Sequence, residues 1–273
     1  MTFHLGLIGY PLGHSISPKI HAAALQACGL QGNYSLFPIH ADDQQGLKDL
    51  LARVRSGELH GLNVTIPHKQ KVIEFMDDLT PTTQSIGAVN TIYLRDNKLV
   101  GDNTDAAGFL ADLKKGIGNR ESEKSAVILG AGGSARAVVY ALLNDGWNVT
   151  LAARRLEQAE QLANEVTSDK LQVASYSELQ SSIFDLLVNA TPVGMFPNMD
   201  ASPLPNELSL HPNTFVYDLV YNPRETKLIR NARSQGLRAT TGLGMLIEQA
   251  ALSFEIWTGC TPPRDVLYTS VVE

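Results

Sequence analysis

Residues 126–137 read AVILGAGGSARA, and this stretch decides the fold. An apolar run ends at Gly130 and gives way to the pattern G-x-G-x-x-A, which opens a predicted helix. In this pattern the first glycine makes a tight turn, the second lets a pyrophosphate approach the backbone, and the small third residue lets helix and strand pack closely. The start of such a helix also offers N–H donors to an anion. The stretch therefore predicts a dinucleotide-binding loop, with a tight turn in a bare βα unit as the alternative.

The end of the next predicted strand indicates which dinucleotide is bound. NAD-binding loops are followed, about 20 residues later, by an acid that binds the ribose 2′-hydroxyl. This chain instead has Ala152-Ala153-Arg154-Arg155. Guanidinium groups pair well with phosphate oxygens, and cations at a helix start oppose the helix dipole unless an anion is bound. Arg154 and Arg155 therefore favour NADP(H), and solvated arginines at a helix start are the alternative.

The length and composition exclude several classes of protein. A chain of 273 residues suits two smaller domains better than one core. The net charge of −6 argues against a nucleic-acid partner, but a few basic groups in a cleft would still attract an anionic small substrate. The N-terminus has no basic region typical of a signal peptide, and no apolar run is long enough to cross a membrane.

The two cysteines, Cys28 and Cys260, are far apart in the sequence. Their spacing matches no metal site, and we expect neither a metal nor a disulfide. Reduced cysteines are typical of the cytoplasm, which is the location we expect.

Strands alternate with helices along the chain, which predicts an α/β fold with mostly parallel sheets. The first helix is expected to have Ser17 as its N-cap and Pro18 as its first helical residue. A hairpin is predicted to turn at Asp96-Asn97. The alternation then restarts near residue 103, where we place a domain boundary.

Polar residues in the first 102 positions indicate a second site. Ser15 and Ser17 lie near the start of a predicted helix, where they form either a carboxylate-binding site or only a helix cap. Thr65 and Lys69 lie around the end of a predicted strand, at the edge where open α/β sheets bind ligands. For Lys69, a solvated surface lysine is the alternative.

Three further side chains belong to the same hypothesis. Asn90 lies at a hairpin strand, and Asp105 in the first turn of a helix, where the dipole stabilises a carboxylate with or without a function. Gln249 is the polar member of an apolar helix face that also carries Met245, Leu252 and Ile256. A buried amide needs partners, and either a hydroxylated ligand or a backbone group would provide them.

Taken together, these stretches resemble the shikimate dehydrogenase family over nearly the whole chain. The motifs that carry the resemblance are, in order, SISP, NVTIPHK, GAVNT, GDNTDAAG, GAGGSARA, VNATPVGM, DLVYNPRET and TGLGMLIEQAA. The family reduces 3-dehydroshikimate to shikimate with NADPH, on the route to chorismate and the aromatic amino acids. The resemblance implies an N-terminal α/β substrate domain, to which the last helices return, and a Rossmann domain. The implied bounds are 1–102 with 240–273, and 103–239.

The resemblance also assigns roles to single residues. Lys69 and Asp105 match the catalytic pair. The matching substrate contacts are Ser15, Ser17, Thr65, Asn90, Tyr221 and Gln249. The matching cofactor contacts are Gly130, Ala131, Gly132, Gly133, Ser134, Ala135, Leu219 and Gly242, with Asp78 where the family often has a glutamate. The family's Asn-Arg-Thr phosphate clamp is changed to Ala153-Arg154-Arg155.

A related two-domain dehydrogenase for folates or amino acids would share the architecture, but the motifs NVTIPHK and DNTDAAG argue against it. Two other functions fit parts of this pattern. One is a quinate/shikimate dehydrogenase of the same family that uses NAD, against which the missing acid argues. The other is a non-catalytic NADP-sensing regulator, which would not need Lys69 and Asp105 together. In each case a small molecule is the expected ligand, and the protein is expected to be a monomer or a homodimer.

Overall fold

A computed structural model describes residues 1–118, 124–181, 183–204 and 210–272. The chain divides into two compact units. Unit 1 contains Met1–Gly108 and the chain from Ile247 onward, and unit 2 contains Phe109–Leu246. Strands and helices alternate through both units, which confirms the α/β class.

Unit 1 is built on a mixed sheet with the strand order β2-β1-β3-β5-β6-β4. Its strands are β1 (Thr2–Gly9), β2 (Gln31–Pro38), β3 (Gly61–Val64), β4 (Asp78–Leu79), β5 (Thr91–Arg95) and β6 (Lys98–Asp102). Strand β1 pairs in parallel with β2 and β3, whereas β5 is antiparallel to β3 and β6. The β5–β6 hairpin turns at Asp96 and Asn97, as predicted, and both residues have positive φ, which a tight two-residue turn requires.

The helices of this unit contact strands of the sheet or one another. They are α1 (Ser17–Ala27), α2 (Gln44–Arg55), α3 (Pro81–Ile86) and α9 (Arg264–Val272). The sequence did not predict α9. The predicted N-cap is also wrong, because the helix begins at Ser17 itself and Ile16 occupies the cap position. The Ser15 Oγ accepts the Ser17 N–H across 3.3 Å, a local bond that serine makes readily.

Cys28 and Cys260 form a disulfide, so the expectation of two unpaired thiols is wrong. Cys28 follows the last residue of α1, and Cys260 lies between α9 and the helix before it. The two residues are 232 positions apart. Sequence spacing does not report which distant segments meet, and this pairing depends on how the C-terminal helices pack.

Unit 2 is a parallel sheet with the order β12-β11-β10-β7-β8-β9. Its strands are β7 (Ser125–Leu129), β8 (Asn148–Ala152), β9 (Leu171–Ala174), β10 (Leu186–Asn189), β11 (Phe215–Asp218) and β12 (Ala239–Thr241). Counted from β7, this is the Rossmann order, and it reverses between β7 and β10. Ligands of such sheets bind beyond the carboxyl ends of the strands at that reversal.

The helices of this unit connect its parallel strands. They are α5 (Gly133–Asn144), α6 (Leu156–Glu165) and α7 (Lys227–Ser234). Two more helices cross the boundaries between the units along the chain, α4 (Asp105–Ile117) and α8 (Leu243–Thr258). Among the residues that the structure describes, no helix is both long and apolar enough to cross a membrane.

Candidate active site

Lys69 is held by the turn that follows β3. The His68 N–H donates to the Thr65 carbonyl across 2.9 Å, which closes this turn, and the buried His68 ring contacts the Ile39 carbonyl at 2.7 Å. The Lys69 carbonyl accepts the Val89 N–H across 2.7 Å. The backbone of Lys69 is therefore fixed beside the segment that leads into β5, and His68 supports the turn.

Asp105 is fixed at the start of α4 by a cap that the sequence analysis did not identify. The Asn103 Oδ1 accepts the N–H groups of Asp105 and Ala106 across 3.0 and 3.4 Å. The Asn103 Nδ2 donates to the Ala88 carbonyl across 2.7 Å. Asparagine is a preferred N-cap residue, so its position just before the helix was a usable signal.

The Lys69 ammonium and the Asp105 carboxylate form an ion pair that is shielded from water. The Nζ–Oδ2 distance is 2.5 Å, and the side chains are 11% and 5% exposed. The other carboxylate oxygen, Oδ1, accepts from Asn90 Nδ2 across 2.8 Å. Both oxygens of Asp105 are thus engaged, and a buried charge pair with such additional bonds is well defined in position.

Asn90 has a single chemically consistent orientation. Its Oδ1 lies 2.8 Å from the Thr104 backbone N–H, which can only donate, and its Nδ2 faces Asp105, whose carboxylate accepts. The Thr91 hydroxyl also donates to Asn90 Oδ1, across 2.9 Å. These contacts direct an N–H of Asn90 at the Lys69–Asp105 pair.

Gln249 reaches the same cluster from α8. Its Oε1 lies 3.3 Å from Asn90 Nδ2, and the residue is 8% exposed. Gly108 permits the helices to approach, since a Cβ there would come within 2.8 Å of the Gln249 backbone nitrogen. The structure therefore brings together Lys69, Asn90, Asp105 and Gln249.

The other predicted residues of unit 1 lie along or near the same strands. Ser15 and Ser17 follow β1, Thr65 follows β3, and the Thr65 N–H donates to the Ile8 carbonyl across 2.9 Å. Because β1 and β3 are parallel neighbours, these residues share the carboxyl edge of the sheet with Lys69. Asp78 is exposed and opens β4, where its Oδ1 accepts the Leu79 N–H across 2.9 Å.

In unit 2, the glycine loop has the strand–loop–helix arrangement that the sequence predicts. Gly130 has a φ of +108°, and a Cβ there would press on Thr191 and Ala190. At Gly132, a Cβ would find open space within the described part of the chain, so a ligand can approach the backbone. Ala135 is fully buried against the sheet. Helix α5 starts at Gly133 with a glycine before it, which leaves the first N–H groups without a side-chain cap. These features suit a pyrophosphate.

Arg154 and Arg155 follow β8, the strand next to β7, and both are exposed. Arg155 is the N-cap of α6, and its guanidinium cannot accept the helix N–H groups. An anion beyond β8 would therefore meet two cations and a helix start. Leu219 and Tyr221 follow β11, and Gly242 lies against the Leu219 backbone, where a Cβ would overlap the Leu219 carbonyl.

A buried carboxyl organises the loops after β10 and β11, and the sequence analysis missed it. Asp218 accepts from Asn189 Nδ2 across 2.8 Å, from the Val220 N–H across 3.0 Å and from the Thr226 hydroxyl across 2.6 Å. The Asn189 Oδ1 in turn accepts the Thr191 N–H across 3.0 Å. Burial raises the pKa of Asp218 to about 6, although all three hydrogen bonds oppose this.

Comparison with known proteins places this chain in a family. Three family profiles match the chain: "Shikimate dehydrogenase substrate binding domain" over residues 7–92, "Shikimate / quinate 5-dehydrogenase" over 112–197, and "Shikimate 5'-dehydrogenase C-terminal domain" over 242–271. The shikimate dehydrogenase (NADP(+)) of Methanocaldococcus jannaschii is 40% identical over 98% of this chain and 96% of that protein.

Solved structures agree with this placement. The shikimate 5-dehydrogenase of Thermus thermophilus, in complex with NADP(H) and shikimate, has a TM-score of 0.87 and 37% identity, covering 98% of each chain. The quinate dehydrogenase of Corynebacterium glutamicum, in complex with NAD, has a TM-score of 0.89 and 31% identity over 99% of each chain. The fold and the matching family profiles are those of a two-unit α/β dehydrogenase. This chain belongs to the shikimate dehydrogenase family.

Proposed function

We propose that this protein is an NADP-dependent shikimate dehydrogenase that reversibly reduces 3-dehydroshikimate to shikimate. The observation that carries the proposal is the shielded Lys69–Asp105 ion pair, with Asn90 on the second carboxylate oxygen. Relatives of nearly the same length that are named for this activity support it. The corresponding pathway leads to chorismate and the aromatic amino acids. We also propose a cytoplasmic location, but the Cys28–Cys260 disulfide removes the argument for it from reduced cysteines.

Lys69 is the acid–base group of this proposal. When bound, NADPH supplies the hydride that reduces the ring carbonyl carbon. The carbonyl oxygen then gains negative charge, which the Lys69 ammonium stabilises and neutralises by donating one proton. In the oxidising direction, the neutral Lys69 amine accepts the proton of the ring hydroxyl. Asp105 orients the ammonium through Oδ2 and accepts from a neighbouring ring hydroxyl.

The remaining side chains bind and orient the two ligands. Gly130, Gly132 and the first turn of α5 suit the pyrophosphate, and Arg154 and Arg155 suit the 2′-phosphate of NADP. We assign the substrate contacts to Ser15, Ser17, Thr65, Asn90, Tyr221 and Gln249. We assign further cofactor contacts to Asp78, Ala131, Gly133, Ser134, Ala135, Leu219 and Gly242. The substrate domain is then 1–102 with 240–273, and the NADP-binding domain is 103–239.

A spectrophotometric screen tests this function directly. Purified protein is given shikimate or quinate with NADP or NAD, and formation of the reduced nicotinamide is followed by absorbance. We expect the highest kcat/KM for shikimate with NADP. A preference for quinate with NAD would support the alternative, which the similarity to a quinate dehydrogenase makes worth measuring. Binding of NADP without turnover of either acid would indicate a regulator instead of an enzyme.

A further inference from the structure

Ser253 is a buried hydroxyl at the centre of a polar network beside the candidate active site. It lies on α8 one turn after Gln249 and is fully buried. Its Oγ lies 3.0 Å from the Gln249 carbonyl, 2.9 Å from Asn63 Nδ2, 2.8 Å from Thr91 Oγ1 and 3.0 Å from Thr104 Oγ1. A buried hydroxyl with this many partners constrains the directions of their hydrogen bonds.

The donor and acceptor groups of these partners determine the direction of each hydrogen bond that Ser253 makes. A hydroxyl has one proton and two lone pairs, a side-chain amide nitrogen only donates, and a carbonyl only accepts. Ser253 therefore donates to the Gln249 carbonyl and accepts from Asn63 Nδ2. One lone pair of Ser253 remains for a neighbouring hydroxyl.

The Thr104 hydroxyl is the one that donates to this lone pair. Its Oγ1 already accepts from Asn90 Nδ2 across 2.9 Å, so its own proton needs an acceptor. Ser253 Oγ, at 3.0 Å, is closer than Asn90 Oδ1, at 3.3 Å. The Thr91 proton then goes to Asn90 Oδ1 across 2.9 Å. Each polar proton in the network has one acceptor in this arrangement.

We propose that Ser253 is a positioning residue of the dehydrogenase, which accepts the Thr104 proton and so keeps Asn90 directed at Asp105. This inference rests on the proposed function. Without Ser253, the Thr104 proton turns to Asn90 Oδ1, which already accepts two donors. Asn63 Nδ2 would also be left with its longer contacts, to the Asn90 carbonyl at 3.2 Å and to Thr91 Oγ1 at 3.5 Å. The Asn90 amide is then displaced from Asp105 Oδ1.

The test is Ser253→Ala in the full chain, with Ser270→Ala as the matched control. Ser270 is half-buried on α9, and its hydroxyl also donates to a helix carbonyl, that of Leu267, across 2.7 Å. We expect Ser253→Ala to lower kcat/KM for shikimate by about 10- to 100-fold, the size of effect that small misplacements produce. Ser270→Ala should stay within about twofold of the wild type.

A double-mutant cycle separates positioning from general stability. In the Asn90→Ala background, Ser253→Ala should cause no further loss, because its effect passes through Asn90. Ser253→Cys fills the same space with a weakly hydrogen-bonding group, and the same cycle can be measured with it if the alanine variant does not fold. The positioning role would be overturned if the losses in kcat/KM of the two single variants multiplied in the double variant. It would also be overturned if the Ser253 variants kept a kcat/KM within twofold of an active wild type. A wild type inactive on shikimate would instead overturn the proposed function.

Discussion

Asn90 donates an N–H to Asp105 across 2.8 Å while its carbonyl oxygen accepts the backbone N–H of Thr104. One side chain thus binds both the residue before α4 and the carboxylate of the first residue of α4. The ion pair with Lys69 is held from both ends, by the turn after β3 on one side and by the capped helix on the other.

Replacement of Lys69 by alanine should reduce kcat far more than it weakens substrate binding. The variant lacks the proposed proton donor, and a general acid typically contributes about 10²- to 10⁴-fold in rate. Steady-state kinetics with shikimate and NADP measure the change. Lys71→Ala is the matched control, because Lys71 is exposed two residues further on and donates to the Ala41 carbonyl. Turnover of Lys69→Ala within a few-fold of wild type would contradict the assigned role.

Replacement of Asp105 by asparagine should also greatly reduce turnover while the fold is kept. An amide of the same shape cannot accept from Lys69 Nζ and Asn90 Nδ2 as a carboxylate does, so the ammonium loses its orientation. We expect kcat to fall by at least about 10²-fold. Circular dichroism checks that the fold is retained. Full activity with an intact fold would show that the carboxylate charge is unnecessary.

Replacement of Arg154 by alanine should discriminate between the two nicotinamide cofactors. Arg154 is exposed after β8, where a 2′-phosphate would need a cation, and NADH carries no such phosphate. The KM for NADPH should rise by about tenfold, the cost of a typical charged hydrogen bond, and the KM for NADH should change little. Titration with 2′,5′-ADP gives an independent measure of binding. Equal effects on both cofactors would remove the argument for phosphate recognition.

The buried Asp218 should make the free energy of unfolding depend on pH. Its folded pKa is about 6, above the ordinary value of 3.8, so the folded protein binds this proton more tightly than the unfolded chain does. Stability from this group is greatest below about pH 4 and declines as pH rises to about 6 and just beyond. A carboxyl pKa that rises from 3.8 to about 6 corresponds to about 3 kcal/mol.

Asp218→Asn mimics the protonated carboxyl and should abolish that decline. Urea unfolding of both proteins between pH 5 and 8 tests this, because the difference between them cancels the other titrating groups. We expect the free energy of unfolding of the variant, relative to that of the wild type, to increase as pH rises to about 7. Above that pH the difference should stay constant. A difference that is the same at every pH would mean that the pKa of Asp218 is not raised into this range.

The parts of the fold and site that are determined by residues close together in the sequence could be predicted from it. The loop from Gly130 to Ala135 follows from the need for a positive φ at one end and a small, buried residue at the other. Asp105 in the first turn of α4 is similarly a local feature.

The parts that depend on distant segments could not be predicted. Thr104 and Ser253 are 149 positions apart, and hydrophobic periodicity does not report that their hydroxyls meet. The disulfide was missed for the same reason. The first helix was predicted with Ser17 as its cap because serine is a common cap, yet the helix begins at Ser17 and Ile16, which has no capping side chain, occupies the cap position.

The Cys28–Cys260 bond has a consequence for the integrity of the chain. It closes a covalent ring that contains the whole of unit 2, from Phe109 to Leu246. A protease that cuts one peptide bond inside this ring opens it without releasing a fragment. Nicked protein would therefore migrate as one species on a denaturing gel until a reductant is added, and only then as two.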